Sequence, residues 1–142
     1  MDDLMMNHEL DQLETLGRKE GILYLRKGYR SKRDLLSSLL TSLDRTVVLI
    51  TVGRKISKVE EMQHENLRSL IRVKGNEANG LLNWSDDLET FRYVASSLEK
   101  AIELSGELAI RGDIVLFSPC GSEDEIIDWY KLFDKRIKKI GL

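Results

Sequence analysis

The sequence holds one cysteine, Cys120, and one proline, Pro119, in 142 residues. A lone cysteine closes no internal disulfide, and with two histidines it makes a thin kit of metal ligands. A reducing, cytoplasmic setting is the expectation, with no metal. Aromatic residues make up 6%, and only Tyr24 and Tyr29 lie near the one dense cationic run. A nucleic-acid surface wants a broader basic face with aromatic platforms, so none is expected. Net charge is −2, which gives the whole molecule no electrostatic pull toward nucleic acid or a membrane. No apolar run approaches the roughly 20 residues that span a bilayer. The start, "MDDLMMNHELDQLETL", lacks the basic opening and apolar stretch of a signal peptide. The Gly-Lys-Ser/Thr phosphate loop and G-x-G-x-x-G are both absent, so no nucleotide cofactor is expected.

What is present suits one globular domain: 42% of residues are hydrophobic and 32% charged. A chain of this length buries about two-thirds of its unfolded surface without staples. Residues 1–20 carry Leu4, Met5, His8, Leu13 and Leu16 in a loose helical pattern that ends near Gly17 or Gly21. They read as an N-terminal helical extension, which could pack on the sheet or on a second copy. "ILYL" (22–25) reads as a strand. Ser31 is a candidate cap for a helix carrying Leu35, Leu36, Leu39, Leu40 and Leu43. "TVVLITV" (46–52) has β-branched residues and no polar alternation, the pattern of a strand buried on both faces. "LRSLIRV" (67–73) and "LLNW" (81–84) are further strand candidates. Ser85 is expected to cap a long helix whose stripe runs through Leu88, Phe91, Val94, Ala95, Leu98, Ala101 and Ile102. "GDIVLFS" is the last strand. Residues 123 to about 140 form the last helix, opened by acids and closed by "KRIKK", which suits the helix dipole at both ends. This alternation predicts an α/β, Rossmann-like three-layer domain with a mostly parallel sheet of five or six strands.

Candidate chemistry is sparse. "RKGYRSKR" puts five cations into residues 26–33. They could grip a carboxylate or phosphate at a helix start, or form an exposed, solvated turn. Arg54 and Lys55 follow a strand's carboxyl end, where anions bind in open α/β sheets. Cys120 precedes a helix start that could lower its thiol pKa, but His8 and His64 lie far off in sequence, so a small apolar filler is the simpler reading. Glu123, Asp124, Glu125 and Asp128 read as favourable first-turn charges rather than paired catalytic carboxylates. Trp84 and Trp129 read as packing residues.

The stretch "GDIVLFSPCGSEDEIIDW" resembles the end of the bacterial Mur ligases, with UDP-N-acetylmuramoyl-alanine–D-glutamate ligase nearest. That family's C-terminal domain typically runs Gly-Asp-Val-Val-Leu-Leu-Ser-Pro-Ala, a small-residue loop with Ser-x-Asp, and an aromatic-bearing helix. "YRSKRDLLSSLLTSL" resembles the family's Asp-Ser-Lys-Ala-Thr-Asn segment and helix, and "TVVLITVGRK" its strand and glycine-lysine loop. The resemblance covers about residues 21–142. It implies a Rossmann-like lobe that delivers an incoming amino acid to an acyl-phosphate made on a separate ATP-binding domain. By the same resemblance Lys32, Lys55, Ser122 and Trp129 stand where the family holds its amino-acid substrate by the carboxylates. Arg30 replaces the family's aspartate, Leu35 its asparagine, and Glu123 an apolar residue. The resemblance therefore implies a stand-alone, non-catalytic binding module for a small amino-acid-like anion or a protein partner. The alternative it implies is a fragment or subunit of an ATP-dependent ligase of peptidoglycan synthesis, with the ATP-binding domain on another chain.

Overall fold

In the computed structural model, which describes residues 13–27, 45–53, 66–73, 91–120 and 122–140, the chain first forms a hairpin. Strand β1 (Leu13–Lys19) runs antiparallel to β2 (Ile22–Lys27), with Lys19 opposite Ile22. Glu20 and Gly21 make the turn with φ of 53° and 79°. Two consecutive left-handed residues match the turn to the twist of the strands. A Cβ at Gly21 would stand 2.6 Å from Arg111 Cγ, so glycine is required there for space as well. The hairpin corrects the expected N-terminal helix: residues 13–19 are a strand, and residues 1–12 lie outside the described ones. Leu13 and Leu16 have helical spacing, but "GRKEGILY" also encodes a two-residue turn, and β1 pairs with β2 from Leu13 to Lys19 with one bulge between Thr15 and Gly17.

Strands β3 (Val47–Gly53), β4 (Leu67–Val73), β5 (Phe91–Ala95) and β6 (Ile114–Cys120) complete a six-stranded sheet in the order β1-β2-β6-β3-β4-β5. Every pairing but β1–β2 is parallel. The described fold is α/β and Rossmann-like, as the alternation predicts. Val47, Val48, Leu49 and Ile50 are all 0% exposed, which explains why β3 shows no polar alternation: both of its faces are interior.

Among the described residues two helices pack on one face of the sheet, α1 (Leu98–Leu108) and α2 (Glu123–Lys139). Helix α1 buries Leu98, Ala101, Ile102 and Ser105, and α2 buries Tyr130, Phe133 and Ile137, each set at helical spacing. All of these except Ser105 join one core with Val48, Ile50, Ile71, Val115 and Phe117. Leu23, Leu25, Leu49, Leu70 and Leu116 form a second buried cluster on the opposite face.

The long helix expected from Ser85 is also corrected. Phe91–Ala95 is the edge strand β5, and Ser97 rather than Ser85 caps the helix, its side chain accepting from Lys100 N at 3.1 Å. "FRYVA" is rich in strand formers, and Ser96-Ser97 supplies the break and the cap. Phe91, Val94 and Leu98 keep helical spacing on paper, and pairing of 91–95 with β4 overrides it. Ser85, the candidate strand 81–84 and the candidate helix after Ser31 lie outside the described residues.

The Gly-Asp pair that opens the family-like motif lies at the amino end of β6. Gly112 has φ of 97°. Asp113, 4% exposed, pairs with Arg68, and its Oδ2 accepts from Ile110 N at 2.8 Å. Arg45 Nε donates to Gly112 O at 2.7 Å, and Gly112 N donates to Gly21 O at 2.9 Å. This knot ties the end of α1, the β1–β2 turn and the starts of β3, β4 and β6 together. Half of the motif is therefore scaffold, at the rim away from the sheet's carboxyl ends.

Candidate functional site

Open α/β sheets bind ligands beyond the carboxyl ends of the strands, at the point where neighbouring connections leave in opposite directions. Here that point lies between β3 and β6, whose ends pair as Gly53 with Cys120. The chain leaves β3 toward β4, and leaves β6 into α2, which turns back over β2 and β1. The contacts of α2 show that direction. Tyr130 Oη donates to Lys27 O, Asp134 Oδ2 lies 3.0 Å from Arg26 Nη1, and Lys19 Nζ donates to Ile140 O.

Ser122 is the N-cap of α2. Its Oγ accepts from Glu125 N at 3.3 Å, and Glu125 Oε1 accepts from Ser122 N at 3.1 Å. This reciprocal capping box satisfies two otherwise orphaned N–H groups. Glu123, Asp124 and Glu125 fill the first turn, where the dipole favours them. The helix start thus already holds a carboxylate of its own, and Ser122 keeps its O–H as a donor. Trp129 is half-buried and packs against the main core. Lys32 and Lys55 lie outside the described residues, as does the thiol of Cys120. In sequence Lys32 follows the end of β2 by five residues, Lys55 follows β3 by two, and Ser122 follows β6 by two.

The cationic run is not wholly a solvated turn. Arg26 lies with its guanidinium 4.3 Å from the Tyr130 ring centroid and pairs with Glu14 at 2.6 Å as well as with Asp134. Lys27 is 9% exposed. Burial pushes the Tyr130 hydroxyl up to about 12, with Arg26 opposing and Glu14 and Asp134 assisting. Burial likewise raises the Asp134 carboxyl, partly offset by Arg26.

The sign for Tyr130 follows from linkage. A tyrosine whose pKa is higher in the fold keeps its full contribution below the unfolded value of 10.0 and loses it as pH rises toward about 12. Tyr130→Phe is expected to cost about 1 kcal/mol at neutral pH through the lost hydrogen bond to Lys27 O. It should also flatten the fall in stability between pH 10 and 12, which urea titrations at several pH values would measure.

Sequence reasoning passed over three polar residues near the carboxyl ends of apolar strands and took a fourth, Lys27, only as part of the cationic run. Lys27, Thr51, Arg72 and Ser118 are each less than a tenth exposed. The signal was a polar residue in or closing each apolar run near its carboxyl end, in "ILYLRK", "VVLITV", "LRSLIRV" and "IVLFSP". Among the described residues no cluster of three or more His, Cys, Asp or Glu could hold a metal, and no helix is long and apolar enough to cross a membrane.

No family model matches the sequence, and no curated protein does. Solved structures do match in fold. A domain ascribed to a UDP-N-acetylmuramate:L-alanyl-gamma-D-glutamyl-medo-diaminopimelate ligase of Haemophilus ducreyi 35000HP superposes with a TM-score of 0.57 at 13% identity, over 87% of this chain and 98% of that domain. A UDP-N-acetylmuramoyl-L-alanyl-D-glutamate--2,6-diaminopimelate ligase superposes with a TM-score of 0.50 at 15% identity, over 88% of this chain. This chain spans 31% of that enzyme's length. The fold is Mur-ligase-like, and at these identities the likeness is one of fold.

Proposed function

We propose that these residues form a Mur-ligase-type amino-acid lobe acting as a binding module for a small, amino-acid-like anion, without catalysing ligation by themselves. The observation that carries the reading is the strand order. Strands β2, β6 and β3 are neighbours and parallel, so the segments bearing Lys32, Ser122 and Lys55 leave the sheet side by side at one rim. Two cations and a hydroxyl so supplied suit a carboxylate, with Trp129 on the helix that starts there. The fold neighbours are named as ligases acting on diaminopimelate-containing or diaminopimelate-accepting substrates, which favours an amino-acid carboxylate over other anions. The acids at the start of α2 oppose a purely anionic guest and favour one that also carries an amino group. A second reading follows from the coverage: the chain matches about a third of a whole ligase. That is the share expected of one lobe whose ATP-binding domain stands on another chain, in peptidoglycan synthesis.

Titrating the full chain with D-glutamate, L-glutamate and diaminopimelate by NMR tests the first reading. Saturable shifts of the Trp129 indole and the Ser122 amide are expected. Absence of any response to all three would leave the lobe only a protein partner. Ligation on adding a separate Mur-type ATP-binding protein would establish the second reading.

A further inference from the structure

The two edges of the sheet differ. Among the described residues β1 pairs only with β2, and β5 only with β4. An open edge invites a strand from another chain, and proteins blunt such edges with bulges and charge. Edge β1 is blunted in both ways. Its register shifts between Thr15 and Gly17, and Glu14, Arg18 and Lys19 put three charges into seven residues. Edge β5 has neither device. Its ladder runs unbroken from Phe91 opposite Ser69 to Ala95 opposite Val73, and Arg92 is the one charge in five residues. Phe91 is 63% exposed and Val94 45%, two of the four large hydrophobics exposed among the described residues.

The five residues "FRYVA" are also complementary to themselves. Tyr93 and Ala95 pack with the main core, so pleat alternation puts Phe91 on that face and Arg92 and Val94 on the other. Two copies paired antiparallel about a two-fold axis normal to the sheet bring like faces together. Centred on Tyr93, Phe91 meets Ala95 of the second copy, Arg92 meets Val94, and Tyr93 meets Tyr93. Large opposes small, and the charge lies against an aliphatic side chain. Centring on Arg92 instead would set two guanidinium groups opposite each other, which is destabilising. The Tyr93 register is the one that pairs all five residues.

From this contrast of edges we infer that β5 is a self-association edge, and that its partner is β5 of a second copy of this chain. Two six-stranded sheets then continue as one. Antiparallel addition points their carboxyl ends in opposite directions, so neither copy covers the other's β2–β6–β3 rim. The inference is independent of what that rim binds. Five residues at about 3.3 Å each make a short seam, below the ~1,000 Å² of a stable interface. The dimer is accordingly weak, with a Kd on the order of 100 μM.

The test is sedimentation equilibrium of the full chain from about 10 μM to about 1 mM, a range that brackets this constant. Val94→Lys and Val94→Glu are run beside wild type, which is expected to show a reversible monomer–dimer equilibrium. Val94→Lys sets a second cation against Arg92 of the other copy, twice by symmetry, and should raise Kd by about tenfold. Val94→Glu sets opposite charges there and should hold or lower Kd. Net charge alone predicts the reverse order, because the chain already carries −2 and glutamate adds to the repulsion. Val94 is 45% exposed, so neither change opens the core. Should either fail to fold, Phe91→Ala takes its place and should raise Kd, since it removes the side chain that meets Ala95. The inference is overturned if wild type stays monomeric over the whole range, or if Val94→Lys dimerises as well as wild type. Equal weakening by Val94→Glu and Val94→Lys would overturn it too, because the paired register requires them to differ.

Discussion

Replacing Phe117 by alanine is expected to lower stability by about 3–5 kcal/mol, the range for truncating a large buried aromatic side chain. Phe117 is 0% exposed on β6, between β2 and β3. Its ring stacks on Phe133 at 4.4 Å between centroids and 23° between planes, and meets Tyr130 edge-on at 6.3 Å. The substitution removes the platform on which α2 sits, and neighbouring strands held by ladder hydrogen bonds cannot collapse into the void. Domains commonly hold 5–15 kcal/mol in total, so this one change consumes a large part of the margin. Urea titration should show a lower midpoint with an unchanged slope. Phe117→Leu, which keeps most of the volume, should cost clearly less. A loss below about 1 kcal/mol for Phe117→Ala would mean that α2 is not anchored through this ring.

Replacing Asp113 by alanine is the second large effect, about 2–3 kcal/mol. The carboxylate accepts from Ile110 N and pairs with Arg68, which also donates to Leu108 O at 2.8 Å. Removing it orphans a backbone N–H and leaves a partly buried guanidinium without its counter-charge. Arg68 retains 31% side-chain exposure, and water there keeps the cost at the lower end of the range for broken buried pairs. Asp113→Asn keeps an acceptor for Ile110 N and should recover part of the loss. The matched comparison is urea unfolding of the two variants. Equal losses would show that charge rather than the turn hydrogen bond dominates.

The two predictions bear on why the motif around "GDIVLFSP" was so readable. Glycine at 112 is needed for a positive φ, aspartate at 113 closes a turn, and the apolar run is a central strand. Each of these constraints is local or nearly so, and each leaves its mark in consecutive letters. The capping box is the same kind of case: Ser122 and Glu125 stand three apart in sequence and bond reciprocally in space. The candidate site was less legible. Ser122 and Trp129 were singled out by resemblance, and in the fold one caps a helix while the other packs on the core. Thr51, Arg72 and Ser118, buried near the carboxyl ends of their strands, went unread because they stand 21 residues or more apart in the chain and no period links them.

The sequence by itself determined that β3 is a strand buried on both faces, that β4 and β6 are strands and that the last helix begins at residue 123, because side-chain volume, branching and first-turn charge act within a few residues. Only the tertiary structure decided that residues 13–19 and 91–95 are strands rather than helix, since their apolar spacing suits a helix and the outcome rests on which neighbour offers a hydrogen-bonding edge. It also decided that β6 inserts between β2 and β3. That insertion joins distant segments by backbone pairing, whose free energy depends on contacts between strands and is written in no single stretch of the chain.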